Sequence, residues 1–167
     1  LEQRALFMDE ACRATTGGMA SILAGDPVVI AEVCAECGID VANLNCPGQI
    51  VISGEKEGVA KACAMLKEKG VKRALPLNVA GAFHSRLMAS AGEKLRGPLA
   101  ETPVAVPGIS VAQNYTGKFE NDPAVIKENL AGQVAGSVRW EDCVRAMIAA
   151  GADRLGTSKT LAIISEA

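Results

Sequence analysis

The chain has 167 residues, enough for one domain or two small ones, and 49% of them are hydrophobic, so a buried core is expected. Only 3% are aromatic, which leaves that core to Ala, Val, Leu, Ile, Met and Cys. The net charge of −2 is interspersed, with no basic stripe, which argues against nucleic acid; no apolar run approaches the roughly 20 residues of a membrane span.

Residues 1–12 carry Arg4, Phe7, Met8 and Ala11 at i, i+3, i+4, i+7 spacing and predict a helix. Arg4 then lies on the apolar face. Its charge cannot be dropped, so it either meets a carboxylate or phosphate there or extends its head to water. The chain opens on Leu1 with this helix already under way and shows no signal peptide, so it reads as a piece of something longer.

After Thr15-Thr16-Gly17-Gly18 the pattern becomes regular. Met19–Leu23 reads as a strand. Pro27 opens a helix lined by Ile30, Val33, Cys34 and Cys37, and Gly38 closes it. Residues 39–45 and 49–54 read as strands about the turn Cys46-Pro47-Gly48. A second helix carries Val59, Ala62, Cys63 and Leu66 and ends at Gly70, and residues 71–79 form a fourth strand. This β-α-β-β-α-β order predicts a ferredoxin-like sheet with two helices on one face. Cys34 and Cys37 form a C-x-x-C, but no second pair or nearby histidine completes a metal site, so they read as small core residues. Six scattered cysteines fit a reducing cytoplasm.

His84 is the only histidine. It stands between the fourth strand and a helix expected over 86–100, in Gly81-Ala82-Phe83-His84-Ser85. A ring at such a corner reaches a cleft, and imidazole exchanges a proton near neutral pH; otherwise it caps the helix or packs at the corner. Beyond it, 109–114 reads as a strand, 115–117 as a turn, and Asp122-Pro123 starts a helix with Ile126, Asn129, Leu130 and Gln133 on one stripe. Val138-Arg139-Trp140 starts another, with Trp140, Cys143, Val144, Met147 and Ile148 inward, which Gly151 ends; residues 154–158 read as a short strand or turn into a last helical stub. Two strands in this half are too few for a sheet, so it is expected to borrow partners and to leave apolar surface exposed.

Four stretches carry a resemblance: Arg4-Ala5-Leu6-Phe7-Met8-Asp9-Glu10-Ala11, Asn43-Leu44-Asn45-Cys46-Pro47-Gly48-Gln49-Ile50-Val51-Ile52-Ser53-Gly54, Ala82-Phe83-His84-Ser85-Arg86-Leu87-Met88, and Gln133 with Ser137-Val138-Arg139-Trp140. In this order and spacing they resemble the malonyl-CoA:acyl-carrier-protein transacylases and the acyltransferase domains of polyketide synthases, over about residues 1–150. The resemblance implies an α/β chain in three parts. Residues 1–16 would be a helix of a large α/β-hydrolase-like core, 17–80 an inserted ferredoxin-like subdomain, and 81–167 the C-terminal part of that core. It implies that His84 activates a serine nucleophile and that the Gln133 carbonyl orients it. Phe83 would select malonyl, Arg4 bind its free carboxylate, and Asn45 and Asn114 line the pocket. Malonyl-CoA and the phosphopantetheine arm of acyl carrier protein would be the partners, with no cofactor or metal. The family's Gly-x-Ser-x-Gly nucleophile elbow does not occur in this chain, so the 167 residues alone are expected to be inactive. The family's Gly-x-Gly-Lys turn is also missing. Gly151–Ser158 is instead similar to the phosphate-binding end of a deoxyribose-phosphate aldolase, whose eight-stranded barrel this chain is too short to form. A non-catalytic ferredoxin-like binding module is the alternative reading.

Overall fold

The computed structural model describes residues 1–156. Local signals set most of its elements. Glu2–Ala14 forms α1 and Gly17–Leu23 forms β1. Pro27–Cys37 forms α2, which starts where the Asp26 carboxylate accepts the Val28 N–H at 2.7 Å and stops at Gly38, φ 67°. Left-handed φ is free of steric cost only for glycine, so the helix ends there. Asp40–Cys46 (β2) and Gln49–Glu55 (β3) make a hairpin, followed by α3 (Lys56–Glu68) and β4 (Arg73–Pro76). The fourth strand is shorter than expected. Only Arg73–Pro76 find a ladder on β1, although the Leu77 N–H still donates to Met19 O at 2.9 Å.

The second half differs more from expectation. Arg86–Met88 is a 3-10 turn leading into α4 (Ala89–Glu101). Val111–Gln113 (β5) pairs antiparallel with Lys118–Glu120 (β6), a strand the sequence reading missed. Pro123–Gly132 forms α5, again capped by an aspartate, Asp122. Val138–Arg139 is a two-residue strand, β7, rather than the first turn of a helix, and Trp140–Ala149 forms α6. Ala152–Gly156 carries no regular element. The helical stub expected after Ser158 lies outside the described residues.

Five strands make one mixed sheet in the order β4-β1-β3-β2-β7. The first four are antiparallel, and β7 runs parallel to β2 through Asn43 opposite Val138 and Leu44 opposite Arg139. One sheet face carries Ala20, Ile22, Ile50 and Ile52 against Ile30, Val33, Val59, Ala62 and Leu66 of α2 and α3. Cys34 is 3% exposed in this core, and burial pushes its thiol up to about 12, so it behaves as a small hydrophobe. Cys37 is half-buried, with its thiol 3.5 Å from Met65 Sδ.

The opposite face is covered differently. Met19, Ala42 and Val51 meet Phe83, while Ala11 of α1 and Ala91 and Leu95 of α4 form one cluster with Met88 and Val134. The β2 ladder shifts register between Val41 and Asn43 and again between Leu44 and Cys46. Each shift inserts a residue and resets the in–out alternation of the strand. Val41 and Leu44 thus join the helix-covered core, while Asn43 and Asn45 line the opposite cleft. The α6 helix lies under the end of β2, where Val144, Trp140 and Met147 pack on Cys46.

Candidate active site

A cleft of about 450 Å³ opens between α1, the helix-free sheet face and the corner at His84. Arg4 and Met8 come from α1. Met19, Asn43, Asn45 and Val51 come from the sheet, Leu77 and Val79 from the segment after β4, and Phe83 and His84 from the corner. Four expected residues, Arg4, Asn45, Phe83 and His84, therefore share one cleft, and Gln133 reaches it through His84. Asn114 does not line it. Its side is exposed beyond β5, and its carbonyl accepts the Arg139 N–H at 2.8 Å. Asn43 was not singled out from the sequence, because plain alternation would send it and Asn45 to the same face without the bulges to choose which.

The histidine corner is tightly determined. His84 has φ 56°, one of two non-glycine residues with positive φ among those described. A bulky residue in that region carries a cost of about 1–3 kcal/mol, which the surroundings must offset. Before it, Ala82 is fully buried, and Gly17 approaches so closely that a Cβ there would lie 2.5 Å from Ala82 N. Gly81 likewise leaves room for Cys12, whose sulfur would be 2.4 Å from a Cβ at 81. After it, the buried Ser85 hydroxyl donates to Ala82 O at 2.7 Å and accepts the Leu87 N–H at 3.3 Å. The first bond spans Phe83 and His84 and holds the loop closed.

His84 Nδ1 lies 3.0 Å from Gln133 O. A carbonyl only accepts, so Nδ1 carries the proton and Nε2 is left as the basic nitrogen. The acceptor loop is itself pinned. Gln133 Nε2 donates to Gly136 O at 3.0 Å, the Ser137 hydroxyl donates to Val41 O at 2.5 Å, and the Tyr115 ring lies where a Cβ on Gly132 or Gly136 would stand. Burial pushes the imidazole below its ordinary value. The Gln133 and Gly136 carbonyls oppose this, and the Arg4 charge adds to it. The imidazole is therefore neutral near pH 7, with Nε2 able to accept a proton.

Arg4 is half-buried on the cleft wall and forms no ion pair with a carboxylate among the described residues. An unmatched guanidinium beside a neutral imidazole can fork onto a ligand's carboxylate while the imidazole takes a proton a few ångströms away. Asp40 and Arg86 form a further pair at the corner. Burial raises the Asp40 carboxyl, but side-chain and backbone hydrogen bonds from Arg86 outweigh that and hold it below its ordinary range. Among the described residues no helix is long and apolar enough to cross a membrane.

No family model matches the chain. Individual relatives do. The chain is 42% identical over 156 residues to the malonyl CoA-acyl carrier protein transacylase of Bacillus subtilis, covering 90% of the chain and 49% of that protein. It is 39% identical to the enzyme of the same name from Salmonella typhimurium, covering 93% and 52%. Among solved structures, the acyl-carrier-protein S-malonyltransferase of Burkholderia pseudomallei is 44% identical, with a TM-score of 0.87 over 96% of this chain and 54% of that one. The Vibrio cholerae acyl carrier protein S-malonyltransferase is 38% identical, with a TM-score of 0.91 over 98% and 57%. The chain thus spans about half the length of the relatives it matches. In sequence and in its α/β fold the chain is therefore similar, over about half of their length, to the malonyl-CoA:acyl-carrier-protein transacylases.

Proposed function

We propose that this chain supplies the base and the acyl-selecting half of an active site that moves a malonyl group from malonyl-CoA to the thiol of acyl carrier protein. The observation that carries the proposal is the shared cleft: Arg4 with no carboxylate partner among the described residues, and His84 with Nδ1 engaged by Gln133 O. In the proposed reaction a serine hydroxyl attacks the thioester carbonyl while His84 Nε2 takes its proton. The imidazolium then protonates the departing thiolate. The acyl-serine is opened by the carrier thiol in the reverse sequence of proton transfers. Arg4 holds the distal carboxylate, which separates malonyl from acetyl. Phe83, packed on Met19, Ala42 and Val51, closes the acyl end of the cleft, and Asn43 and Asn45 offer amides to the substrate. The serine elbow is supplied from outside these 167 residues.

The strand order β4-β1-β3-β2 with α2 and α3 on one face supports a ferredoxin-like subdomain over 17–80. Residues 1–16 and 81–167 then belong to the larger α/β-hydrolase-like core. Six free thiols support a reducing, cytoplasmic setting. A solved structure that is 33% identical is a malonyl-transacylase in complex with a type II polyketide acyl-carrier protein, which supports a carrier-protein partner here.

Intact-mass analysis of the complete source polypeptide tests the proposal. Malonyl-CoA is expected to add one malonyl group, and acyl carrier protein bearing its thiol arm to remove it. No adduct on the complete polypeptide would defeat the proposal and favour a non-catalytic module, to be sought by binding assays on residues 17–80.

A further inference from the structure

His84 holds a strained backbone at the mouth of the cleft, and the residue two positions on makes the densest polar contact at that corner. The Arg86 backbone N–H donates to Asp40 Oδ2 at 2.8 Å. Its Nε donates to both carboxylate oxygens at 3.0 and 3.2 Å, and its Nη2 to Oδ1 at 2.7 Å. A further, longer contact runs from Nη2 to Ile39 O at 3.4 Å. Isolated surface ion pairs hold little, because solvent screens them and both side chains must be ordered. This one is different in kind. It is a two-pronged fork with an added backbone donor, so it fixes the main chain at 86 and not only a side-chain tip. Asp40 also begins β2, the strand that carries Asn43 and Asn45 into the cleft. The pair therefore couples the base to the strand that lines the pocket.

We propose that Asp40 and Arg86 are positioning residues of the site, a clamp that sets where the His84 ring stands relative to the β2 wall. The inference rests on His84 being the working base. Three contacts then define the corner: Ser85 to Ala82 from within the loop, Gln133 O on the ring, and Asp40 on the main chain after it. The first two fix the turn and the ring tilt. Of these three hydrogen-bonded contacts the third alone reaches β2, where it adds to the packing of Phe83 on Ala42.

The lone histidine makes a direct test possible. In the 167-residue chain its imidazole gives one Cε1–Hε1 signal, whose titration midpoint reports ring burial, the Arg4 charge and the Gln133 bond together. The variants Asp40→Ala/Arg86→Ala remove the clamp without changing net charge. They are expected to move the midpoint upward, toward that of a free imidazole, as the ring gains water. Arg86→Lys, which keeps the charge and loses the fork, is expected to move it in the same direction by less, and it decides the matter if the double variant does not fold. Glu141→Ala/Arg145→Ala, which removes an i,i+4 pair on α6 that is more buried than the clamp, is the control and should leave the midpoint in place. In the complete enzyme the double variant should slow serine loading about tenfold at unchanged KM. An unmoved midpoint in the clamp variants overturns the inference, whatever happens to the rate. A moved midpoint in an enzyme whose parent shows no loading overturns the proposed reaction and leaves the clamp standing.

Discussion

Gly17→Ala is the sharpest perturbation of the site that touches none of its side chains. Gly17 begins β1 and has an ordinary φ, so alanine is conformationally allowed there. The obstacle is contact. The new Cβ would lie 2.5 Å from Ala82 N and 2.7 Å from Ala82 Cβ, where ordinary contact begins at 3.4 Å. The strand or the corner must give way by about 0.9 Å, and the nearer atom is buried backbone with no rotamer to change. Overpacking of this kind costs about 2–3 kcal/mol, while the stiffer unfolded chain returns about 0.5–1 kcal/mol. A net loss of about 1–2.5 kcal/mol follows, or about 2–10 °C in Tm for a chain of this size. Gly18→Ala is the internal comparison. Its Cβ meets Lys56 Cα at 3.5 Å, an ordinary contact, so it should be neutral or slightly stabilising. Because Ala82 stands two residues before His84, Gly17→Ala should also shift the histidine signal, and Gly18→Ala should not. Thermal melts and the imidazole spectrum of both variants check this. Equal stability of the two alanine variants would refute the argument that Gly17 is there to admit the corner.

Other outcomes are as definite. Arg4→Ala should raise the His84 titration midpoint, because a repelling charge is gone, and, in the reaction proposed above, should lower the preference for malonyl over acetyl about ten- to a hundredfold, measured by competitive loading. Stability should fall with acid. His84 and Asp40 both have folded-state values below their unfolded ones, so the unfolded chain binds more protons, and the stability they supply above about pH 6.5 and about pH 4 respectively is lost as pH drops through each folded value. Denaturant titrations of the parent and of His84→Gln across pH 4–8 check the histidine share, which should vanish in the variant. Leu66→Ala, at a fully buried position under the sheet, should cost about 2–5 kcal/mol in the same titration.

The first sheet was legible because its signals are local. Asp26-Pro27 and Gly38 bound a helix whatever surrounds them, and the runs 49–54 and 59–66 show their periods openly. Arg4 could be placed because α1 has a clean helical spacing. What escaped depends on distance. β6 and β7 have three and two residues and no period to read. β7 exists because Ser137 reaches Val41 and β2 has a free edge. The two β2 bulges are the same kind of case. The sequence shows two asparagines two apart, but only the register against β3 decides that both face the cleft. Asn114 was assigned by likeness of position, and it stands outside the cleft because its segment turns to meet β7. The close approaches of Gly17 to Ala82 and of Gly81 to Cys12 join segments far apart in the chain, so no spacing rule announces them.

The left-handed backbone at His84 sets folding and chemistry against each other at a single position. Glycine would occupy φ 56° without steric cost, so His84→Gly should relax the corner and retain more stability than His84→Ala, which keeps a Cβ in the disfavoured region. A selection for thermal stability alone would therefore drift toward glycine at 84 and discard the proposed base. The residue best suited to the fold is not the one the proposed reaction needs, and thermostabilising screens of this chain need an activity readout at that codon.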